Sequence, residues 1–182
     1  MNILAFGASS SSTSINQKLA VYTAQQIENS TVTVADLNDF EMPIYSSDRE
    51  KAGGIPQLAS QFKNLITQAD GIVISFAEHN GSYTAAFKNL YDWVSRLEGK
   101  VWQGKPVLLM ATSPGGRGGQ TVLKQAVVSF PFMGADVASE FSLPSFHKNF
   151  DSESGITDQT LKVQFEEALQ AFKVTLPINL TH

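Results

Sequence analysis

The sequence predicts an α/β fold: a doubly wound parallel sheet of five strands in the order 2-1-3-4-5, with helices on both faces. Strand-length apolar runs alternate with segments of helical periodicity, which is typical of a parallel sheet covered on both faces. Three runs are almost continuously apolar, as central strands are, and two mix polar with apolar residues, as edge strands do. The length of 182 residues suits one domain, so a single domain over residues 1–182 is predicted.

The five predicted strands follow these runs along the chain. They lie at residues 2–7, 31–37, 71–77, 106–112 and 135–143. The second and fifth runs are the mixed ones, so these strands are the predicted edges. In this order the chain reverses its winding between the first and third strands, and ligands bind at the carboxyl ends of the strands there.

The helices are predicted from apolar residues that recur at intervals of three and four. They lie at residues 15–27, 55–69, 86–97, 122–130 and 161–172. The connection at residues 37–54 is longer than most and contains Phe40, Met42 and Tyr45. It predicts a lid or a subunit contact, and a loop held by its own apolar side chains is the alternative. Asp36, just before it, is interpreted as a turn residue.

Composition and charge exclude several classes of function. The net charge of -4 and the lack of a Lys/Arg cluster argue against a nucleic-acid partner. The longest apolar runs are strand-sized and no signal-like N-terminus is seen, so we expect no membrane association and a cytoplasmic location. The chain has no Cys, and its three His lack the spacing of zinc ligands, so no metal site is predicted.

A hydroxyl-rich loop at residues 7–16 follows the first strand and precedes the first helix. Six of its residues are Ser or Thr. Backbone amides and hydroxyls at the mouth of a helix are donors for a phosphate group, and the helix macrodipole favours the same negative charge. The loop therefore predicts a phosphorylated cofactor. The alternative is a turn whose residues only cap the helix, since Ser and Thr are preferred N-caps.

Two further loops are predicted to lie beside it, after the third and fourth strands. The first of these reads AEHNGS at residues 77–82 and leads into a helix that contains Lys88-Asn89 and Asp92-Trp93. The second reads SPGGRGG at residues 113–119. With the end of the hydroxyl-rich loop, Ser14-Ile15-Asn16, these stretches resemble the NADPH-dependent FMN reductase family, which includes quinone, azo and chromate reductases of flavodoxin-like fold.

The resemblance implies an FMN-binding role for residues in all three loops. Ser9, Ser11, Thr13, Ser14 and Asn16 would surround the phosphate; Glu78, His79, Asn80 and Gly81 would contact the isoalloxazine ring; Ser113, Gly115 and Gly116 would approach its pyrimidine edge. It also implies NADPH or NADH as co-substrate, a homodimer or homotetramer, and a quinone, flavin, azo, nitro or oxyanion acceptor. Hydride transfer to flavin N5 needs no protein acid, so no catalytic residue is predicted.

The chain departs from the family pattern at several positions. The first loop lacks the family's Arg and is one residue longer, Ala77 stands where Pro is usual, and His79 replaces a Tyr. A charge-assisted hydrogen bond contributes about 1.5 to 3 kcal/mol, so we expect FMN to be partly lost on purification unless the extra hydroxyls compensate. The alternative function is a flavodoxin-like electron carrier, although such carriers usually have a T-x-T-G-x-T loop.

Overall fold

The computed structural model describes residues 1–177, and the last five residues of the predicted domain, 178–182, lie outside the described residues. The strands are β1 (Asn2–Ala8), β2 (Thr31–Val34), β3 (Gly71–Phe76), β4 (Pro106–Thr112), β5 (Asp136–Leu143), β6 (Phe150–Asp151) and β7 (Gly155–Ile156). The helices are α1 (Ile15–Gln25), α2 (Ser47–Gly53), α3 (Gln57–Gln68), α4 (Ala85–Val94), α5 (Gln120–Ser129), α6 (Phe146–Asn149) and α7 (Gln159–Lys173).

The main sheet has five strands in the order β2-β1-β3-β4-β5, and every pairing in it is parallel. This confirms the predicted order. Strands β1, β3 and β4 are buried along almost their whole length, whereas β2 and β5 are partly exposed edges. The β1–β3 register sets Ile3 opposite Gly71 and Ala8 opposite Phe76, so the carboxyl ends of the central strands finish level with one another.

Helices cover both faces of the sheet, as predicted. Alternate residues of β1 enter two separate cores, because successive side chains of a strand point to opposite faces. Leu4 and Phe6 join the core under α3, α4 and α5, where Trp93 is buried. Ile3 and Ala5 join the core under α1 and α7. The carboxyl edge of the sheet, where ligand binding is predicted, is therefore supported by packed side chains on both faces.

The structure differs from the predicted elements at one edge strand of the main sheet and in short elements outside it. Strand β2 ends at Val34, three residues early, because Asp36 caps a short 3-10 helix at Leu37–Phe40. Helix α2 was not predicted, since none of its side chains is buried and it has no apolar periodicity. The antiparallel pair β6–β7 was also missed, because strands of two residues are too short for a pattern.

Helix α4 holds the long connection against the body of the protein. Asn89 accepts a hydrogen bond from Tyr45 N–H (2.8 Å) and donates to the carbonyl of Met42 (3.0 Å). Trp93 donates through Nε1 to the carbonyl of Pro43 (2.7 Å). These contacts give a structural reason for the Asn and Trp of the K-N and D-W pairs. They leave Ile44 75% exposed at the tip.

Candidate functional site

The junction between β1 and α1 is tightly packed around Gly7. A Cβ atom at Gly7 would lie 2.4 Å from the backbone nitrogen of Gln17, in the first turn of α1. The Gln17 side chain accepts a hydrogen bond from Gly7 N–H (2.5 Å) and donates to the carbonyl of Ala35 (3.0 Å). Helix α1 therefore begins against the carboxyl ends of β1 and β2, with its amino end open to the loop.

Asn16 fixes the same turn of α1 to the strands on its other side. Its Oδ1 accepts hydrogen bonds from Thr112 N–H (3.0 Å) and from the Ser75 hydroxyl (2.7 Å), and its Nδ2 donates to the Thr112 carbonyl (3.1 Å). The residue is 2% exposed. Asn16 therefore lies beneath the loop, and its hydrogen bonds connect α1 to β3 and β4. Its contact with FMN stays a prediction.

The loop at residues 9–14 leaves several donors without an internal acceptor. Ser14 caps α1 by accepting a hydrogen bond from Gln17 N–H (3.1 Å), so the capping alternative accounts for this residue. Ser11 N–H donates to the Ser9 hydroxyl (3.2 Å). Within residues 1–177, the amides of Ser10, Ser12 and Ile15 donate to no protein acceptor. These amides form the donor set that a phosphate group needs at a helix N-terminus.

The second loop is a tight hairpin. His79 N–H donates to the Ser82 carbonyl (3.0 Å), and Ser82 N–H donates to the His79 carbonyl (3.1 Å). The two residues at the turn, Asn80 and Gly81, both have positive φ (51° and 75°), which the type I′ hairpin turn requires and which Asn-Gly favours. The hairpin presents His79, Asn80 and Gly81 to solvent.

The second loop is attached to both of the others. Thr84 caps α4 and donates to the Ala8 carbonyl (2.9 Å), at the start of the first loop. Glu78 accepts a hydrogen bond from Val122 N–H (3.0 Å) in the first turn of α5, which the third loop precedes. A carboxylate is stabilised there by the helix macrodipole. The three loops are therefore brought to one edge of the sheet.

Polar contacts, one of them partly buried, also dock the hairpin on α5. The Tyr83 hydroxyl lies 3.1 Å from the hydroxyl of Ser129, and Ser82 donates to Gln125 (3.0 Å). Burial raises the pKa of Tyr83, and the hydrogen bond with Ser129 opposes this shift in part. Tyr83 is therefore a neutral phenol at physiological pH, and its role is to position the hairpin.

The glycines of the third loop form two pairs with different surroundings. Gly118 and Gly119 have positive φ (59° and 69°), and a Cβ atom at Gly118 would lie 2.4 Å from the Ser142 hydroxyl. Gly115 and Gly116 face open space: a Cβ atom at Gly116 would meet nothing within 4 Å. The Ser113 hydroxyl donates to the Gly115 carbonyl (3.0 Å), which orients the exposed pair. Gly118 and Gly119 are therefore needed by the fold, whereas Gly115 and Gly116 are free to face a ligand.

The residues that join the loops could not be recognised from the sequence. Gln17 directly follows Ser14-Ile15-Asn16, and Thr84 lies two residues after the AEHNGS stretch. The hydrogen bonds of these two residues nevertheless join segments that are separate in the sequence. Glu78 was identified, but its hydrogen bond to α5 was not. The only sequence signal for such residues was a polar side chain directly after a strand or before a helix. That signal does not show which group the side chain is hydrogen-bonded to.

A sequence model of the NADPH-dependent FMN reductase family matches residues 1–148, which carry all three loops. The chain belongs to this family. The predicted enzyme class, an oxidoreductase that depends on FMN and NAD(P)H, is thereby confirmed.

Two relatives of this FMN reductase family member are named as quinone reductases. NADPH:quinone oxidoreductase of Arabidopsis thaliana is 32% identical over 142 residues, which are 74% of this chain and 71% of that protein. Quinone reductase of Escherichia coli K12 is 33% identical over 150 residues, 79% of this chain and 76% of that protein.

Solved structures confirm the flavodoxin-like fold of this FMN reductase family member. FerB, a flavoenzyme NAD(P)H:(acceptor) oxidoreductase from Paracoccus denitrificans, superposes with a TM-score of 0.75 at 23% identity, over 95% of each chain. An NADH:FMN oxidoreductase in its apo form superposes with a TM-score of 0.74 at 19% identity, over 99% of this chain and 92% of that one. At such identities the likeness establishes the fold.

Residues 1–177 contain neither a membrane-spanning helix nor a cluster of metal ligands. No helix there combines the length and the apolar character needed to cross a membrane. No group of three or more His, Asp or Glu side chains in that range is arranged to hold a metal ion.

Proposed function

We propose that this reductase holds FMN across the three loops and passes hydride from NAD(P)H to a quinone. The observation that carries the proposal is the convergence of unpaired donors from three loops at one edge of the sheet. The quinone reductase relatives favour quinone over the other acceptors, and the family assignment weighs against an electron carrier. FMN, when bound, accepts hydride from the nicotinamide and gives it up to the acceptor.

The residues of the first loop are suited to the phosphate end of FMN. The amides of Ser10, Ser12 and Ile15 point to no protein acceptor, and the hydroxyls of Ser9 and Thr13 add donors beside them. The amino end of α1 contributes roughly half a positive charge. Together these groups bind an anion without a change in protonation.

The second and third loops are suited to the ring of FMN. The turn residues Asn80 and Gly81 and the open pair Gly115-Gly116 are exposed at this edge, and within residues 1–177 their backbone amides donate to no protein acceptor. Amides stabilise charge that develops on a ring during reduction, because they are fixed before the reaction. The proposed role of this chain is therefore binding and orientation, and His79 acts as an exposed contact for the ring or acceptor.

Gly116→Ala is expected to weaken FMN binding about tenfold without a change in stability. A methyl group there has open space in the free protein, so the free energy of unfolding should change by less than about 0.5 kcal/mol. The same methyl group would compete with the ring for the space beside the loop, and tenfold corresponds to about 1.4 kcal/mol. Fluorescence titration with FMN measures the effect.

Gly53→Ala is the matched control for this variant. A Cβ atom at Gly53 also meets nothing within 4 Å, and the residue lies in α2, away from the three loops. It should bind FMN as the parent does. Equal FMN affinity for Gly116→Ala and Gly53→Ala would remove Gly116 from the proposed site.

Anaerobic reconstitution tests the proposed function. The purified protein is loaded with FMN, and its flavin absorbance is followed after addition of NADPH or NADH, and then of a benzoquinone. Rapid bleaching followed by recovery with quinone is the expected result. Bound flavin that stays oxidised with both nucleotides would contradict the proposal and favour the electron carrier.

The homodimer or homotetramer and the cytoplasmic location are part of the same proposal. The exposed Ile44, on a segment held by α4, supports a contact with a second copy, since an exposed large apolar side chain on a fixed loop is suited to burial. A cytoplasmic location would give access to NAD(P)H. Light scattering of the purified protein measures the subunit number.

A further inference from the structure

The first loop borders a small cavity that has one positive and one negative side chain in its wall. The cavity has a volume of about 120 Å³ and is lined by Ser9, Ser11, Ser12, Thr13, Ser14, Gln17, Lys18 and Asp36. Lys18 lies in the first turns of α1, and Asp36 follows β2. The hydroxyl-rich loop itself contains no Lys or Arg. Lys18 therefore brings the positive side chain to this wall.

Neither charge is neutralised by a partner within residues 1–177. Lys18 forms no ion pair there. Asp36 accepts hydrogen bonds from the backbone and side-chain amides of Asn38 (2.9 and 2.8 Å), and both reach Oδ1. Oδ2 accepts none among the described residues. Lys18, which has no ion-pair partner, and Asp36, with its free carboxylate oxygen, thus line the same cavity as Ser12, whose amide is unpaired, and as the hydroxyl residues Ser9 and Thr13.

We propose that Lys18 and Asp36 together set the affinity of this loop for the phosphate of FMN. The inference rests on the proposed function, because it concerns the same site. A phosphate monoester carries about 1.5 to 2 negative charges at pH 7, so the ammonium group of Lys18 attracts it and the carboxylate of Asp36 repels it. Lys18 supplies the positive charge that the first loop lacks, and Asp36 offsets part of it.

The comparison of FMN with riboflavin isolates this effect. The two flavins share the ring and ribityl chain and differ only in the phosphate, so the ratio of their dissociation constants reports on the phosphate subsite alone. A residue that supports the fold or the ring would change both constants together. A residue that acts on the phosphate changes the ratio.

Lys18→Gln is expected to raise the Kd for FMN about tenfold and to leave the Kd for riboflavin unchanged. Lys18→Arg should retain the FMN affinity of the parent, because it retains the charge. The loss in Lys18→Gln should shrink as salt rises from 20 to 500 mM, since both charges are exposed to solvent and are screened. Titrations by flavin fluorescence give all these constants.

Lys162→Gln is the matched control. Lys162 occupies the same place in α7 that Lys18 occupies in α1: the amide of each donates to the N-cap residue, Lys18 to Ser14 and Lys162 to Asp158. The substitution removes the same charge from the same turn of a helix and is remote from the cavity. It should change neither flavin constant.

Asp36→Asn is expected to act in the opposite direction. Removal of the negative charge should lower the Kd for FMN about threefold with no effect on riboflavin. Asn can still accept the hydrogen bond from the Asn38 amide, so the cap of the 3-10 helix is preserved. Asp39→Asn, in the same turn but outside the cavity wall, controls for the change in net charge.

The outcomes separate this inference from the proposed function. A parent protein that binds FMN, with an unchanged FMN-to-riboflavin ratio in Lys18→Gln, overturns the inference and leaves the proposed function standing. A parent that binds neither flavin overturns both. A raised ratio in Lys18→Gln, retained affinity in Lys18→Arg and no change in Lys162→Gln support the inference even if NAD(P)H fails to bleach the flavin.

Discussion

Asn16→Ala is expected to lower the free energy of unfolding by about 3 to 4 kcal/mol and to remove FMN binding. The substitution leaves the amide and carbonyl of Thr112 and the hydroxyl of Ser75 without the partner they have in the parent. Each buried polar group left unpaired costs about 1 to 3 kcal/mol. The loss is a large share of the total stability of a typical domain.

Urea unfolding followed by circular dichroism measures the change in stability. Asn64→Ala is the control, because Asn64 is an exposed residue of α3 with no side-chain hydrogen bond to the rest of residues 1–177. It should change stability by less than about 0.5 kcal/mol. Asn16→Ala and Asn64→Ala would unfold at the same urea concentration only if the hydrogen bonds of Asn16 did not stabilise the fold. Its predicted contact with FMN would then be the better explanation of why Asn occupies this position.

Gly7→Ala is expected to lower the free energy of unfolding by about 3 kcal/mol, at the upper end of the usual range for overpacking, and this is the second large effect. The added Cβ atom would lie 2.4 Å from Gln17 N, 2.8 Å from Gln17 Cα and 2.9 Å from Asn16 C. All three are backbone atoms of α1, which cannot rotate away as a side chain can. The helix must shift from β1, and overpacking of this kind destabilises by about 1 to 3 kcal/mol or more.

The melting temperature of Gly7→Ala, compared with that of Gly116→Ala, checks this prediction. Both variants add one methyl group to a glycine of the candidate site, and only the methyl group at Gly7 meets a neighbouring atom. A drop of about 6 to 12 °C is expected for Gly7→Ala and almost none for Gly116→Ala. Equal melting temperatures would show that α1 can move from β1 at little cost.

The sheet could be predicted from the sequence because its signals are local. Continuous apolar runs marked β1, β3 and β4, and mixed runs marked the edges, so the strand order followed. The predicted end of β2, at residue 37, was wrong. Leu37 continues the apolar pattern of the strand, but Asp36 already begins a capped turn. Local pattern does not show which of two acceptable conformations the surrounding structure selects.

The position of the candidate site could be predicted from the sequence, but the contacts within it could be predicted only in part. The three loops follow from topology, because the carboxyl ends of neighbouring parallel strands meet. The bonds that join them, such as Thr84 to Ala8 and Asn16 to Thr112, link residues 76 and 96 positions apart. No spacing along the chain encodes such pairs. The charges of Lys18 and Asp36 likewise meet at one cavity only through the folding of α1 beside β2.

The site is built in two layers that tolerate change differently. Its floor consists of buried side chains, Asn16, Ser75 and Thr84, whose bonds hold the strand ends together. Its rim consists of the exposed hairpin residues His79, Asn80 and Gly81 and of Gly116, where a Cβ atom would meet nothing within 4 Å. The floor therefore sets the stability of the scaffold, and the rim is the part of the site where a side chain can change with less effect on that stability.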